Sequence, residues 1–308
     1  MRIYNSLKEL SRLKNAVVTI GTFDGVHKGH KKIISRLKEI GAQTGGETCL
    51  LTFFPHPRMV LFPDDHGLQL LNTIQEKTEL FKEYGIQHLI IHPFSKEFSR
   101  TSSTEFVRDI LVNTIGTKNL VIGYDHHFGR NREGSFVELS DLSQVYNFDV
   151  EQIPEEDVND IAVSSTKIRN ALLSGDIKTA SDFLGYNYPL SGTVVHGKKV
   201  GNTIGFPTAN ISVKENYKLI PSHGVYAVDV KIEGDKKIYK GALNIGTRPT
   251  FDNGEPSIEV YILEFDGNIY SKKITVLFKE RIRDEKKFNS VDELIVAMQN
   301  DVAFVAHL

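Results

Sequence analysis

Short apolar runs alternate with helix-like patterns over the first half of the chain. Four runs are mainly apolar and of strand length: residues 16–20, 48–54, 88–94 and 119–123. The segments between them place apolar side chains every three or four positions, as amphipathic helices do. Strands that alternate with helices in this way predict a parallel sheet covered on both faces. Ligands of such sheets bind at the carboxyl ends of the strands.

Two of the predicted helices are well defined. The first carries an apolar stripe made of Ile33, Ile34, Leu37 and Ile40. The second begins at Ser102, where Glu105 three residues later completes a capping box. We expect this second helix to turn its apolar residues Phe106, Ile110 and Leu111 towards the core.

The pattern changes near residue 185. Beyond that point β-branched residues and turn signals predict five strands, at residues 190–196, 224–232, 237–245, 257–265 and 273–278. Short strands at this spacing favour a small antiparallel barrel. A capping box at Ser290 and Glu293 predicts a closing helix. The helical pattern at 164–185 contains the linker, which gives domains at residues 1–185 and 186–308.

Composition narrows the class of protein. A chain of 308 residues with 40% hydrophobic and 25% charged residues is typical of a globular protein with two domains. A net charge of -2 provides no basic field for nucleic acid, so an anionic ligand must be held locally. The single cysteine, Cys49, lies in an apolar run and is expected to be a small buried hydrophobe. With no leader pattern and no apolar stretch of about 20 residues, we expect a cytoplasmic protein without membrane partners.

Residues 21–30, GTFDGVHKGH, combine glycine, aspartate and histidine where the first strand meets the first helix. Gly21 and Gly25 allow a tight turn, and His27 and His30 are three residues apart, so a helical turn makes them neighbours. A helix N-terminus offers unpaired N–H groups to phosphate. Two imidazoles add donors that can follow an anion as its charge develops.

Two other interpretations of this block stay open at this point. The histidines could be solvated, or could cap the helix, in an ordinary turn. Alternatively, His27, His30, Asp24 and His56 could form the shell of a metal hydrolase, although no established spacing such as HExxH is present.

Residues 21–30 resemble the H-x-G-H signature of the nucleotidyltransferase superfamily. With their flanks they resemble the prokaryotic bifunctional riboflavin kinases/FMN adenylyltransferases, or FAD synthetases. The resemblance continues in TFFPHP at 52–57, GYDHHFG at 123–129, SSTKIR at 164–169, GFPTAN at 205–210, GVY at 224–226 and RDE at 283–285. It implies an α/β Rossmann-like nucleotidyltransferase domain, then a small antiparallel β-barrel riboflavin kinase domain with a C-terminal helix.

The resemblance implies that domain 1–185 transfers AMP from ATP to FMN and releases pyrophosphate. His27 and His30 would hold the triphosphate and stabilise the α-phosphorus. The further binding residues that it implies are Gly21, Phe23, Asp24 and Gly25 in the turn, His56, Pro57 and Asp125 around nucleotide and flavin, and Ser165, Thr166 and Arg169 on pyrophosphate. Without the resemblance, Asp125 could simply form a turn and the serines an N-cap.

The resemblance implies that domain 186–308 phosphorylates riboflavin. A primary alcohol needs a general base, and Glu259 matches the family's catalytic glutamate. Thr208 and Asn210 match its metal and phosphate ligands, within a motif that includes Gly205 and Pro207, and would bind Mg²⁺ with ATP. On a strand, Glu259 and Tyr261 point to one face, and Ile258 and Val260 point to the other. The alternative is that Glu259 is an ordinary exposed glutamate of this strand.

Several residues depart from the family pattern. In the kinase half these are Asn202 in place of arginine, Tyr261 in place of histidine, Glu264 in place of aspartate and Ser271 in place of glycine; in the transferase half they are Tyr124 and His126. Two alternatives follow: a monofunctional FMN adenylyltransferase with a weak or lost kinase, and a flavin-binding regulatory protein. The expected partners are the small molecules ATP, riboflavin and FMN, and the sequence is compatible with a homo-oligomer.

Overall fold

The computed structural model describes residues 1–64, 67–124, 126–154, 163–197, 205–247 and 256–308. These residues form two compact units, Met1–Ser164 and Ser165–Leu308. Asp125 and Asn202 lie outside the described residues.

A six-stranded parallel sheet forms the centre of the first unit. Its strands are β1 Arg2–Tyr4, β2 Ala16–Ile20, β3 Glu47–Phe53, β4 His88–His92, β5 Thr117–Gly123 and β6 Asp149–Ile153. The order across the sheet is β1-β4-β3-β2-β5-β6. The four predicted strands are confirmed within two residues at each end. The edge strands β1 and β6 do not follow from the sequence pattern, because one is only three residues long and the other is rich in polar residues.

Helices cover the sheet. They are α1 Lys28–Thr44, α2 Pro57–Leu61, α3 Ile74–Glu83, α4 Ser103–Glu105 and α5 Phe136–Tyr146, with 3-10 turns at Leu7–Glu9, Phe98–Arg100 and Arg130–Arg132. The predicted apolar stripe of α1 is buried, with Leu37 fully inaccessible. The capping box of Ser102 and Glu105 is present. From Phe106 to Ile115 the helix is π-helical, which the spacing of its apolar residues does not reveal.

The second unit contains a closed antiparallel barrel with strand order β10-β11-β8-β7-β12-β9. The strands are β7 Pro189–Val195, β8 Thr208–Ser212, β9 Gly224–Ile232, β10 Ile238–Thr247, β11 Pro256–Ile262 and β12 Lys273–Arg283. The barrel and the closing helix α8 Val291–His307, capped by Ser290, confirm the prediction. β8 was not predicted, because it follows directly on the turn signals of Gly205 and Pro207.

Two helices precede the barrel in the second unit, α6 Ser165–Ser174 and α7 Ile177–Leu184. Gly175 between them lies so close to β12 that an added Cβ would be 2.7 Å from Cδ of Arg281. The Ser222 amide donates to the Leu172 carbonyl at 3.1 Å. Both helices therefore pack with the barrel. The domain boundary at residue 185 remains a prediction about which segment folds by itself.

Two smaller predictions concern Cys49 and the membrane. The thiol of Cys49 is fully buried and unpaired in any disulfide, and burial raises its pKa to about 12, as expected of a core residue. Among the described residues, no helix combines the length and the hydrophobicity needed to cross a bilayer.

Candidate functional sites

The turn between β2 and α1 brings His27 and His30 to the carboxyl edge of the parallel sheet. The buried strand β2 ends at Ile20, and α1 begins at Lys28 with His27 as its N-cap. The turn is strained at Phe23 and Val26, which have φ of 47° and 36°, and Gly25 between them has φ of 87°. Gly25 is the position where glycine relieves that strain, as the sequence predicts.

The two imidazoles stack on each other. Their ring centroids are 3.7 Å apart, with 17° between the planes. Nδ1 of His27 accepts a long hydrogen bond, 3.4 Å, from the backbone N–H of His30. A neutral His27 therefore carries its proton on Nε2, which makes that atom a donor. Phe23 supports the pair, its ring meeting that of His30 edge-on at 5.0 Å.

Both histidines are neutral at neutral pH. Burial lowers the pKa of His27 to about 4. Burial, together with the nearby His27 and Lys77, lowers the pKa of His30 well below its usual range. Nδ1 of His30 is buried and has no hydrogen-bond partner within the described part of the chain. An orphaned polar atom of this kind is unusual in a folded protein and is typical of a functional site.

The surroundings of the pair anchor the turn. Oδ1 of Asp24 accepts from the amides of Leu71 at 2.9 Å and Asn72 at 3.4 Å. Nζ of the buried Lys77 donates to the carbonyl oxygen of Thr22 at 2.9 Å. Across the described ranges, no group of three or more His, Cys, Asp or Glu side chains has the spacing of metal ligands. The metal-hydrolase alternative therefore has no geometric support there.

Two other predicted residues of the first unit, His56 and Pro57, lie at the same edge of the sheet. His56 caps α2, accepting from the Arg58 amide at 3.2 Å, and Pro57 is the first residue of that helix. β3 ends just before them, so both lie beyond its carboxyl end. Asp125 falls outside the described residues, whereas His126 beside it has a buried Nε2 without a hydrogen-bond partner there. Burial, with smaller contributions from His127 and Arg132, lowers the pKa of His126 to about 4.

A basic cavity that the sequence pattern does not predict lies beside α1. The cavity measures about 520 Å³, and its lining includes Lys28, Lys31, Lys32 and Arg36. Arg36 forms a bidentate ion pair with Glu151 of β6, in which Nε and Nη2 donate to the two carboxylate oxygens at 2.6 and 2.9 Å. Alternation of lysine and apolar residues along α1 was the available signal for this cavity.

Ser165, Thr166 and Arg169 lie in the second unit, on the first turns of α6. Thr166 is exposed, and Ser165 and Arg169 are half-buried. Two hydroxyls and a guanidinium therefore occur together at one helix start. Their predicted part in binding pyrophosphate stays a prediction.

Glu259 of β11 is the centre of a polar cluster in the barrel. Its Oε1 accepts from the Ser257 hydroxyl at 2.9 Å, and its Oε2 accepts from the Thr208 hydroxyl at 3.2 Å. Across the ladder, Glu259 pairs with Asn210 of β8 on one side and with Asn244 of β10 on the other. Ile258 and Val260 are buried while Glu259 is half-buried, so the predicted alternation is confirmed.

Glu259 and Thr208 line a cavity of about 260 Å³. Its apolar lining includes Phe288, Leu294, Met298 and Val302, the last three from α8. The cavity therefore has a polar part on the strands and an apolar part on the helix, which suits a ligand that has both an apolar and a polar part.

An ion pair on the wall of this cavity was missed by sequence analysis. Nε and Nη2 of Arg283 donate to the two oxygens of the buried Asp301 at 2.9 and 2.7 Å. Arg283 stands in a recognisable motif, but its partner lies 18 residues further along the chain, and no local pattern connects the two.

The departures from the family pattern have distinct surroundings. The Tyr261 ring lines the cavity and meets that of Phe206 edge-on at 5.4 Å. Glu264 and Ser271 have φ of 52° and 65°, in the left-handed region that favours glycine. Both positions therefore cost backbone energy, and neither residue lines the cavity.

Comparison with known proteins matches the two halves of the chain to two families. Residues 9–167 match the FAD synthetase family, and residues 184–308 match the riboflavin kinase family. A bifunctional riboflavin kinase/FMN adenylyltransferase of Listeria monocytogenes is 38% identical over 93% of this chain and 90% of its own length. The protein of the same name from Escherichia coli K12 is 34% identical over 98% of this chain and 96% of its own.

The fold is also similar to a solved structure over its whole length. A crystal structure described as a macrolide-efflux protein from Streptococcus pneumoniae superposes with a TM-score of 0.87 and 30% identity. The match covers 100% of this chain and 99% of that one. The similarity therefore extends across both units.

Proposed function

Because the chain belongs to the family of bifunctional riboflavin kinases/FMN adenylyltransferases and has both transferase activities, we propose that its two reactions use the two sites just described. Adenylyl transfer to FMN uses the stacked His27 and His30, and phosphorylation of riboflavin uses Glu259. The observation that carries the proposal is that each unit holds one such cluster at the residues matched by its own family.

Adenylyl transfer requires positioning and charge stabilisation more than covalent help. The FMN phosphate attacks the α-phosphorus of ATP, the bond to the β-phosphate breaks, and pyrophosphate leaves with the electron pair. Nε2–H of His27 donates to an oxygen of the α-phosphate, and the start of α1 adds its N–H groups and dipole. His30 supplies the second imidazole donor. Because both rings are neutral, their hydrogen bonds strengthen most as negative charge develops.

Three further binding roles in this reaction are part of the proposal. The backbone of Gly21, Phe23 and Gly25 forms the turn that binds the nucleotide. Asp24 fixes this turn by accepting a hydrogen bond from the Leu71 amide. His56, Pro57 and Asp125 contact nucleotide or flavin. The start of α6, with Ser165, Thr166 and Arg169, has the hydroxyls and the guanidinium that bind pyrophosphate.

Riboflavin phosphorylation needs a base for the terminal hydroxyl of the ribityl chain. The Glu259 carboxylate takes that proton as the hydroxyl oxygen attacks the γ-phosphorus of ATP, and ADP leaves. The hydroxyls of Ser257 and Thr208 hold the carboxylate in one orientation. The apolar part of the cavity along α8 receives the flavin ring. Gly205 and Pro207 form the turn that leads into β8 and brings the nucleotide phosphates to Thr208.

The residues around Glu259 fit Mg²⁺. Thr208 provides a hydroxyl oxygen and Asn210 an amide oxygen on the same short strand, beside the carboxylate of Glu259. This is a hard oxygen set, which Mg²⁺ prefers over softer ions. When bound, Mg²⁺ neutralises charge on the ATP phosphates. Cytoplasmic location and any homo-oligomer stay predictions.

The kinase assignment is tested with Glu259→Gln, which keeps the shape and removes the base. Steady-state formation of FMN from riboflavin, ATP and Mg²⁺ should fall by about 10²–10⁴-fold, because general base catalysis contributes that much. Glu280→Gln, an exposed glutamate on β12, is the matched control and should leave the rate unchanged. A Glu259→Gln variant with the parent rate would remove the base from this position.

A further inference from the structure

Lys77 is a buried lysine near His30. Its side chain is 3% exposed, and it lies on α3, four residues after the N-cap Thr73. We propose that Lys77 is a positioning residue for adenylyl transfer, which holds the turn at residues 21–27 in the strained shape that places His27 and His30. This inference rests on the proposed role of His27 and His30 in that reaction.

The contact between Lys77 and the turn is direct. Its Nζ donates to the carbonyl oxygen of Thr22 at 2.9 Å, and the Thr52 hydroxyl donates to the same oxygen at 3.4 Å. Thr22 is followed directly by Phe23, the first residue of the turn with a positive φ. A strained backbone persists only where surrounding contacts over-determine it. The ammonium group of Lys77 is one such contact.

The helix that carries Lys77 is itself fixed. The Thr73 hydroxyl accepts from the Glu76 amide at 3.2 Å, and the Glu76 carboxylate accepts from the Thr73 amide at 2.9 Å. The two residues before this capping box, Leu71 and Asn72, donate their amides to Asp24 in the turn. The start of α3 therefore holds the turn at Asp24 and again, through Lys77, at Thr22.

The charge of Lys77 acts on His30. Burial lowers the pKa of Lys77 to about 8, while Asp24 nearby favours the charged form, so the side chain is a cation at pH 7. The groups that face His30 are His27 from α1 and Lys77 from α3, and both disfavour a proton on His30. Burial of the Lys77 ammonium group is costly and Asp24 offsets only part of this cost, so a functional role would explain its position.

A neutral His30 is an advantage for catalysis. A protonated imidazole would attract ATP strongly before the reaction begins, and binding of that kind lowers KM without raising kcat. A neutral ring instead gains its hydrogen-bond energy as charge builds on the α-phosphate. Lys77 therefore supports catalysis without touching the substrate.

The test compares Lys77→Met with Lys82→Met, an exposed lysine on the same helix. FAD formation from FMN, ATP and Mg²⁺ is followed from pH 5 to 8. In Lys77→Met we expect kcat to fall by about 10–100-fold, since a small displacement of catalytic groups has this cost. The acid limb of kcat should also move to higher pH, because removing the cation raises the pKa of His30. Lys82→Met should match the parent in both.

A second variant keeps the inference testable if Lys77→Met does not fold. Lys77→Gln removes the charge but keeps a polar side chain, so it should show the same displaced acid limb. If the role of Lys77 were purely structural, its substitution would lower the melting temperature and leave the acid limb of kcat at the same pH as in the parent. An unmoved limb in a folded Lys77 variant would overturn the inference.

Failure of the underlying assignment has a different signature. If His30→Ala forms FAD at the parent rate, the imidazole pair is not the adenylyl-transfer site and the proposed function is wrong. If His30→Ala is inactive while both Lys77 variants behave as the parent, only the inference about Lys77 is wrong.

Discussion

The imidazole rings of His27 and His30 stack at 3.7 Å between centroids, across the first turn of α1. The contact follows from the three-residue spacing and from the use of His27 as an N-cap, which orients its Nδ1 towards the His30 amide. One of the two alternatives from the sequence, a helix cap, is therefore true of His27 as well. The cap fixes the tautomer that makes Nε2 a donor, so the structural and the functional interpretations are compatible.

His126→Phe should stabilise the protein by about 1 kcal/mol at pH 7, because it removes a buried nitrogen that has no hydrogen-bond partner among the described residues. The gain should be larger at pH 5. The pKa of His126 is about 4 in the folded state and about 6.5 when unfolded, so the unfolded state binds more protons between these values. The free energy of unfolding of the parent therefore falls as the pH drops through this window.

Denaturant unfolding at pH 5, 6 and 7 measures both effects. His307→Gln, which replaces an exposed histidine on α8 that does not act on His126, is the control and should keep the pH slope of the parent. A His126→Phe variant with an unchanged slope would show that His126 does not titrate in this way.

Ser271→Gly should raise the free energy of unfolding by about 0.5–1 kcal/mol. Ser271 has φ of 65°, which costs an L-residue about 1–2 kcal/mol. Glycine removes this cost, but it loses more conformational entropy on folding, which offsets part of the gain. Ser271→Ala retains the strain and should bring no gain. Equal melting temperatures for the glycine and alanine variants would contradict this account.

A fragment of residues 186–308 should fold as a barrel and bind riboflavin with Mg²⁺-ATP, since its motifs lie within it. A fragment of 165–308 should melt at a higher temperature, because α7 contacts β12 and α6 bonds to Ser222. Circular dichroism melting curves of the two fragments decide this. An unfolded 186–308 fragment beside a folded 165–308 fragment would place the boundary at residue 164.

Asn202→Arg should raise kcat of riboflavin phosphorylation more than it changes KM for ATP. The resemblance of the sequence to the family implies an arginine at position 202, and the asparagine found there carries no fixed positive charge. Such a charge stabilises the transition state more than the ground state. Steady-state kinetics of FMN formation test this, and an unchanged kcat would mean that the asparagine is not what limits the rate.

Much of the fold was predictable because local patterns determine it. The buried stripe of α1, the caps at Ser102 and Ser290, and the alternation around Glu259 are all local features of sequence. The unpredicted strand β8 begins directly after turn signals, and its pairing with β11 depends on contacts about 50 residues away. Local patterns cannot report such pairing.

The sites were predictable to a different extent. His27, His30 and Glu259 stand in recognisable motifs, so their residue types were informative. Lys77 and Asp301 are single charged residues on amphipathic helices, where a charge usually faces solvent. Only the tertiary structure shows that both are buried.

The most direct test of the central claim is product analysis of the parent and His30→Ala after incubation with riboflavin, ATP and Mg²⁺. The parent should convert riboflavin to FMN and then to FAD. His30→Ala should form FMN at nearly the parent rate and accumulate it, because loss of one preorganised donor typically costs about 10²–10³ in rate at its own site alone. FAD formation by His30→Ala at the parent rate would contradict the account.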